Sequence, residues 1–273
     1  MDPKVAGSNP ADSTINERQV IQMRMLIAGD WHGSLHHAEW CMKRAQEYGI
    51  TCIVQLGDFG YWEHQDDGKF LNQLSSLAKN YGVTVYWIDG NHENHVLLRS
   101  TYCVPERTDE NGFVQMRDRI FYIPRGTVWE WAGVRFMGLG GAFSIDRNHR
   151  RVGSSFWFEE TLTDEEVELA CENGKDGVDV MFAHDVFTGV DLGLVFAMRG
   201  KYLTKSKPSD ANRDRVKTVL DAVRPSRFYH GHYHAYYRQT FEAHYGPVKV
   251  VGLDCDGTEV ESVTVLDTED FTA

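Results

Sequence analysis

From Met25 onward the chain alternates short, nearly unbroken apolar runs with longer amphipathic stretches. The first runs are MLIA (25–28), TCIVQL (51–56) and VTVYWI (83–88), and the stretches between them, 34–48 and 68–81, read as helices. Runs without polar alternation suit strands buried on both faces, and interleaved with helices they predict a β-α-β-α-β sheet with parallel strands. Strands dominate further along, at VRFMGLGG (134–141), VDVMFAH (178–184), RFYHGH (227–232), AYYRQTF (235–241), PVKVVGL (247–253) and EVESVTVL (259–266). Helices are expected at 163–172, where TDEE offers a capped start, and at 210–222. The pattern predicts an α/β fold of two packed sheets with helices outside.

Residues 1–22, MDPKVAGSNPADSTINERQVIQ, show no apolar period and many small polar residues. They are expected to form a flexible N-terminal extension, leaving 23–273 as one domain. With 273 residues and 42% hydrophobic content the chain can bury a sizeable core. A net charge of -12 supplies no global basic field, so no dedicated nucleic-acid-binding domain is expected. The five cysteines (Cys41, Cys52, Cys103, Cys171, Cys255) are odd in number and lack any C-x-x-C, which argues against a disulfide framework or a thiolate zinc site and suits a reducing cytoplasm. No apolar run approaches the roughly 18 residues of a membrane span, and no signal-peptide core is evident. A soluble cytoplasmic protein without a membrane partner is expected.

Each of the first three strands ends in a glycine-flanked polar cluster: GDWHG (29–33), GDFG (57–60) and GNHE (90–93). Two later strands end in FAHD (182–185) and HGHYH (230–234). Ligands of open α/β sheets bind beyond the carboxyl ends of strands. Asp30, His32, Asp58, Asn91, His92, His184, His232 and His234 are therefore expected on one rim. An Asp after a strand is ordinarily a turn or helix cap. Capping does not explain why the same five segments also collect imidazoles, whereas a metal site does. Carboxylate, carboxamide and imidazole with no thiolate suit borderline divalent ions, Mn2+ first, with Fe2+, Co2+, Zn2+ or Ni2+ as other candidates.

D-x-H, G-D, G-N-H-[D/E], a lone His and G-H-x-H follow one another here across about residues 25–266. In this the sequence resembles the calcineurin-like metallophosphoesterases. The resemblance implies a four-layer αββα sandwich of two mixed sheets and a centre of two divalent ions. It implies Asp30, His32 and His234 on one ion, Asn91, His184 and His232 on the other, and Asp58 bridging both. His92, by the same resemblance, is no ligand but protonates the leaving group. Two ions about 3.5–4 Å apart clamp the attacking and leaving oxygens and acidify a bridging water, so a metal hydroxide becomes the nucleophile. With Asp30, Asp58 and one hydroxide the centre retains a charge of about +1, which attracts phosphate.

GDWHG and GNHE also resemble the phosphoprotein phosphatases, whose second block continues as G-D-x-x-D-R-G. Here it reads GDFGYWEHQ (57–65), without that Asp and Arg. One group to grip a dianionic monoester and one to orient the catalytic His are thus missing. Trp31, Phe59, Tyr61 and Trp62 are expected instead as an aromatic rim able to stack on a nucleobase. Arg147 and His149, within GGAFSIDRNHRR (140–151), are expected to approach substrate, and this segment and the basic stretch 199–217 would supply a local positive field. Of the histidines outside the signature, His36, His37, His64, His95, His149, His230 and His244, only His64 and His149 are expected near substrate. The predicted function is a binuclear phosphodiesterase acting on small diesters such as cyclic nucleotides. A phosphomonoesterase of the protein-phosphatase kind and a nuclease are the alternatives.

Overall fold

The computed structural model describes residues 22–198 and 206–271. The expected N-terminal extension, apart from Gln22, lies outside the described residues, as does 199–205 of the basic stretch. The first half lays down β1 (Arg24–Ala28), α1 (Leu35–Glu47), β2 (Cys52–Gln55), α2 (Glu63–Asp66), α3 (Lys69–Tyr81), β3 (Thr84–Trp87), α4 (His95–Thr101), β4 (Val114–Arg117) and β5 (Ile120–Tyr122). The second half adds β6 (Thr127–Trp131), β7 (Val134–Leu139), α5 (Asp164–Asn173), β8 (Val180–Ala183), α6 (Leu192–Met198), α7 (Lys207–Val223), β9 (Arg227–His230), β10 (Tyr237–Ala243), β11 (Gly246–Gly252) and β12 (Val263–Asp267).

Two six-stranded sheets result, in the orders β12-β1-β2-β3-β5-β4 and β10-β11-β9-β8-β7-β6. The inner strands of each are parallel, while β12, β4, β10 and β6 pair antiparallel at the edges. Strand periodicity sorts side chains into layers. Along β1, Leu26 and Ala28 join Ala38 and Leu74 beneath the helices, whereas Met25 and Ile27 meet Phe136, Phe182 and Leu253 between the sheets. A third cluster, which includes Met181, Val219 and Phe228, lies between the second sheet and α5 and α7. These three apolar layers separate four layers of secondary structure, an αββα sandwich of two mixed sheets.

The helix expected at 163–172 begins with the foreseen cap: Thr163 accepts from the amide of Glu166, and Glu166 accepts in return from the amide of Thr163. The strand expected at 235–241 starts later, at Tyr237, because residues 231–236 form the turn that carries His232 and His234. No described helix is long and apolar enough to cross a membrane.

Candidate metal centre

The carboxyl ends of β1, β2, β3, β8 and β9 converge where the two sheets face each other. Their closeness leaves no room for extra atoms in the flanking turns. A Cβ on Gly90 would collide with the carboxylate and amide of Asp58, and one on Gly231 with the carboxylate of Asp30. His32, Asp58, His232 and His234 adopt left-handed backbone, at φ 44, 48, 67 and 45°. Such conformations are costly for non-glycine residues and recur at functional sites. Backbone donors hold the two acids: the amides of Asn91 and His92 each reach Asp58 Oδ1 at 2.9 Å, and that of His232 reaches both oxygens of Asp30 at 3.1 Å.

Two ligand groups share Asp58. Asp30, His32 and Asp58 form one, Asp58, His184 and His232 the other, and within each group the candidate donor atoms lie within 4.8 Å of one another. His234 Nε2 joins the first side, 3.2 Å from Asp30 Oδ2. Asn91 joins the second, its Oδ1 3.1 Å from His184 Nε2. The outer contacts select which atom each side chain presents. Asp256 accepts from His32 Nδ1 at 2.6 Å, so Nε2 is turned toward Asp58, 3.6 Å away. The carbonyl of Leu56 accepts from His184 Nδ1 at 2.7 Å, turning its Nε2 inward. Ser144 accepts from Asn91 Nδ2 at 2.9 Å and donates to Glu160 at 2.7 Å, leaving the amide oxygen of Asn91 to face His184. This is the support that metal-binding imidazoles and carboxamides require.

The electrostatics call for positive charge. Burial works against ionising Asp58, yet the facing His184 and His92 hold its carboxyl well below the usual range. Asp30 is likewise lowered against burial, by His234 and His184. The two acids in turn raise their partners despite burial: His32 to about 9 and His184 to about 10. The hydrogen bond to Asp30 is the main cause of the rise at His234, to about 11. Burial lowers His232 to about 4. Two buried carboxylates that raise three neighbouring imidazoles form a negative pocket of oxygen and nitrogen donors, where divalent cations fit by charge and donor chemistry in place of protons.

The centre opens on a cavity of about 780 Å³. Asp58, Asn91, His92, His232 and His234 line its floor, and Val190, Leu192, Phe196 and Tyr233 one wall. His92 Nε2 stands 3.8 Å from Asp58 Oδ2. Arg150 lies across the His92 ring, with Nη2 2.7 Å from Nε2, and is anchored by Asp146 at 2.8 Å. Burial and this guanidinium push the His92 imidazole down from its ordinary value, against the pull of Asp58.

Several expectations about substrate contacts are corrected. Trp31, Phe59 and Tyr61 are fully buried in the first core, Phe59 stacked between Trp31 and Trp87 and Tyr61 tilted against Trp87, because the residues after β1 and β2 turn inward beneath α1 and α3. They form no rim. Trp62 stays near the site, donating to the carbonyl of His92 at 2.5 Å. Arg147 lies over the Phe143 ring at 4.4 Å, and His149 is exposed; neither lines the cavity, whereas Arg150 does. His64 also lies off the cavity, bonded to Asn94 at 2.8 Å. Of the basic stretch, Ser206, Ser209, Asp210 and Arg213 reach the cavity.

Three residues of the site carry no signal in the sequence. Asp256 and Cys255, whose sulfur lies within 4.8 Å of ring nitrogens of His32 and His234, come from the turn after β11, and Glu160 from a turn before α5, none within a recognisable block. A D-x-D-G or C-D-G string after a strand signals only a turn.

The sequence matches the family model for calcineurin-like phosphoesterases over residues 23–236. A search of curated proteins returns no match. A dimetal phosphatase from Danio rerio is similar in structure at 14% identity and a TM-score of 0.52, over 90% of this chain and 92% of that one. A further crystal structure, at 13% identity and a TM-score of 0.57, covers 92% of this chain and 96% of its own. These similarities show a shared fold, and the family match spans all five polar blocks. The chain belongs to the calcineurin-like phosphoesterase family, whose members are metal-dependent phosphoester hydrolases.

Proposed function

We propose that residues 23–273 form a binuclear phosphodiesterase acting on small diesters of the nucleotide kind. The observation that carries this reading is the pair of ligand groups sharing Asp58, on the floor of a cavity with an apolar wall. Asp30, His32 and His234 would hold one divalent ion, Asn91, His184 and His232 the other, and Asp58 both. When bound, the ions would supply positive charge for the phosphoryl oxygens and a water acidified toward neutrality. His92, beside Asp58 yet facing the cavity, donates a proton to the departing ester oxygen. Arg150 places one cation where a phosphate would enter.

The cations that border the cavity among the described residues favour a diester. Arg213 also borders the cavity, but its donors are committed to the carbonyls of Val186, Phe187 and Val190. Asp146, Asp191 and Asp210 line the same space. Among the described residues, Arg150, itself held by Asp146, is the guanidinium beside His92 at the cavity floor, and one paired cation among acids suits a monoanionic diester better than a dianionic monoester. The apolar wall gives the second ester substituent a place to bind. The five free thiols suit a reducing, cytoplasmic setting.

Chelator-treated protein should lose its activity and recover it with added divalent ions, Mn2+ in preference to Mg2+ or Ca2+. Asp58→Asn should bind less metal and lose nearly all turnover of both diesters and monoesters. At pH 7 to 8 a nucleoside diester should outpace the matching monoester. Full activity in metal-free protein would refute the metal centre, and faster monoester turnover across several metals would replace the diesterase reading with a phosphatase.

A further inference from the structure

We propose that Cys255 supplies a thiolate ligand to the metal position formed by Asp30, His32 and His234; this rests on the metal-centre reading above. The sulfur belongs to a third ligand group, with donor atoms of Cys255, His32 and His234 all within 4.8 Å of one another. The thiol donates to the carbonyl of Asp256 at 3.4 Å, which holds the sulfur on the turn beside His32.

The turn holding Cys255 is fixed to the site. The amide of Asp256 donates to the carbonyl of Asp30 at 2.9 Å, and that of Asp254 to the carbonyl of Glu261 at 3.0 Å. Asp254 accepts from the amide of Cys255 at 2.8 Å, and the Thr258 hydroxyl donates to the Cys255 carbonyl at 2.8 Å. The same turn delivers Asp256 to His32 Nδ1. One turn therefore orients an imidazole and sets a sulfur beside it. Cys41 and Cys52 differ: both are buried in apolar cores, where burial pushes their thiols up, that of Cys52 to about 12. Among the described residues, Cys255 is the cysteine that shares a ligand group with histidines.

Ligation forms a sulfur–metal bond and releases the thiol proton to solvent, with no change of oxidation state. It makes the two positions chemically unequal. A soft thiolate favours Zn2+, Co2+ or Fe2+, while the Asn91, His184 and His232 position, with nitrogen and oxygen donors, remains suited to Mn2+. The centre would then hold two different metals. The added negative charge also weakens attraction for a dianion more than for a monoanion, in line with a diester substrate.

Metal-stripped full-length protein loaded with one and then two equivalents of zinc, examined by X-ray absorption at the zinc edge, tests this. A sulfur scatterer at about 2.3 Å is expected. It should vanish in Cys255→Ser, whose zinc affinity should fall by about tenfold or more while its manganese affinity changes little. A shell of nitrogen and oxygen alone in the wild-type protein at both loadings overturns the thiolate while leaving the metal centre standing. Failure to bind zinc, cobalt or manganese overturns both. The wild-type spectrum decides even if the variant folds poorly.

Discussion

His92 and His184 both face Asp58, and their surroundings set them to different work. His184 is fully buried, with Nδ1 tied to a carbonyl and Nε2 3.4 Å from Asp58 Oδ1, which suits the ligand role proposed for it. His92 is partly exposed at the cavity and has Arg150 rather than a carbonyl against its ring. A general acid contributes about 10² to 10⁴-fold, and most where the leaving oxygen is a poor one. His92→Ala should accordingly keep its metals and lose far more activity on alkyl or nucleoside diesters than on nitrophenyl diesters. Equal losses on both, together with depleted metal, would assign His92 to supporting the GNHE turn instead. The positions of the eight block residues were legible because each sits just beyond a buried strand, most of them in glycine-flanked turns, where chain order and spacing encode position. Asp256 and Cys255 were not, since a contact between residues 32 and 256 depends on the return of β12 to the first sheet and leaves no local pattern. Trp31, Phe59 and Tyr61 were misplaced because sequence locates the strand end but not the direction of the side chains just beyond it.

Strands buried on both faces, such as β1, β2, β8 and β9, were legible from their unbroken apolar runs. The short β4, β5 and β6 were not, for charges interrupt or follow them, as Arg117 and Glu130 do. One contact among these unread elements governs the site's outer frame. Arg125, buried between β5 and β6, reaches Asp89 with Nε and Nη2 at 2.9 and 2.6 Å. It also donates to the carbonyls of Glu159, Glu160 and Thr161 and to the Glu166 carboxylate of α5. The strand end feeding GNHE is thereby joined to the turn that carries Glu160, whose partner Ser144 holds Asn91. Arg125→Met keeps an apolar stem but leaves Asp89 as a buried charge without its main partner. Breaking such a pair costs about 3–5 kcal/mol. At about 2–4 °C per kcal/mol for a domain near this size, the melting temperature should drop by about 10 °C. Thermal denaturation measures this, and an unchanged midpoint would show that the surrounding packing, rather than the ion pair, secures the turn.

At the scale of the whole molecule, the two sheets bring strand ends separated by up to about two hundred residues of sequence to one cavity, and each side contributes differently. The first sheet supplies Asp30, His32, Asp58, Asn91 and His92; the second supplies His184, His232 and His234, along with the α6 wall that follows β8. On the proposed function, the ligand residues come from strand ends of both sheets while α6 lines the cavity wall apart from them, so chemistry and substrate selection would rest on different elements. This predicts that they separate under mutation. Phe196, on α6 and edge-on to Tyr233 at 6.3 Å between ring centres, lies on the cavity wall and outside the ligand groups. Stacking of a base on an aromatic ring contributes about 1–3 kcal/mol, so removing Phe196 should cost about tenfold or more in binding such a substituent. Phe196→Ala should therefore raise KM for nucleoside diesters by about tenfold and barely change turnover of dimethyl phosphate or metal content. Because dimethyl phosphate has no aromatic group to bind the wall, equal losses on the two substrates would mean that α6 supports the centre itself, and the division between reacting floor and selecting wall would fall.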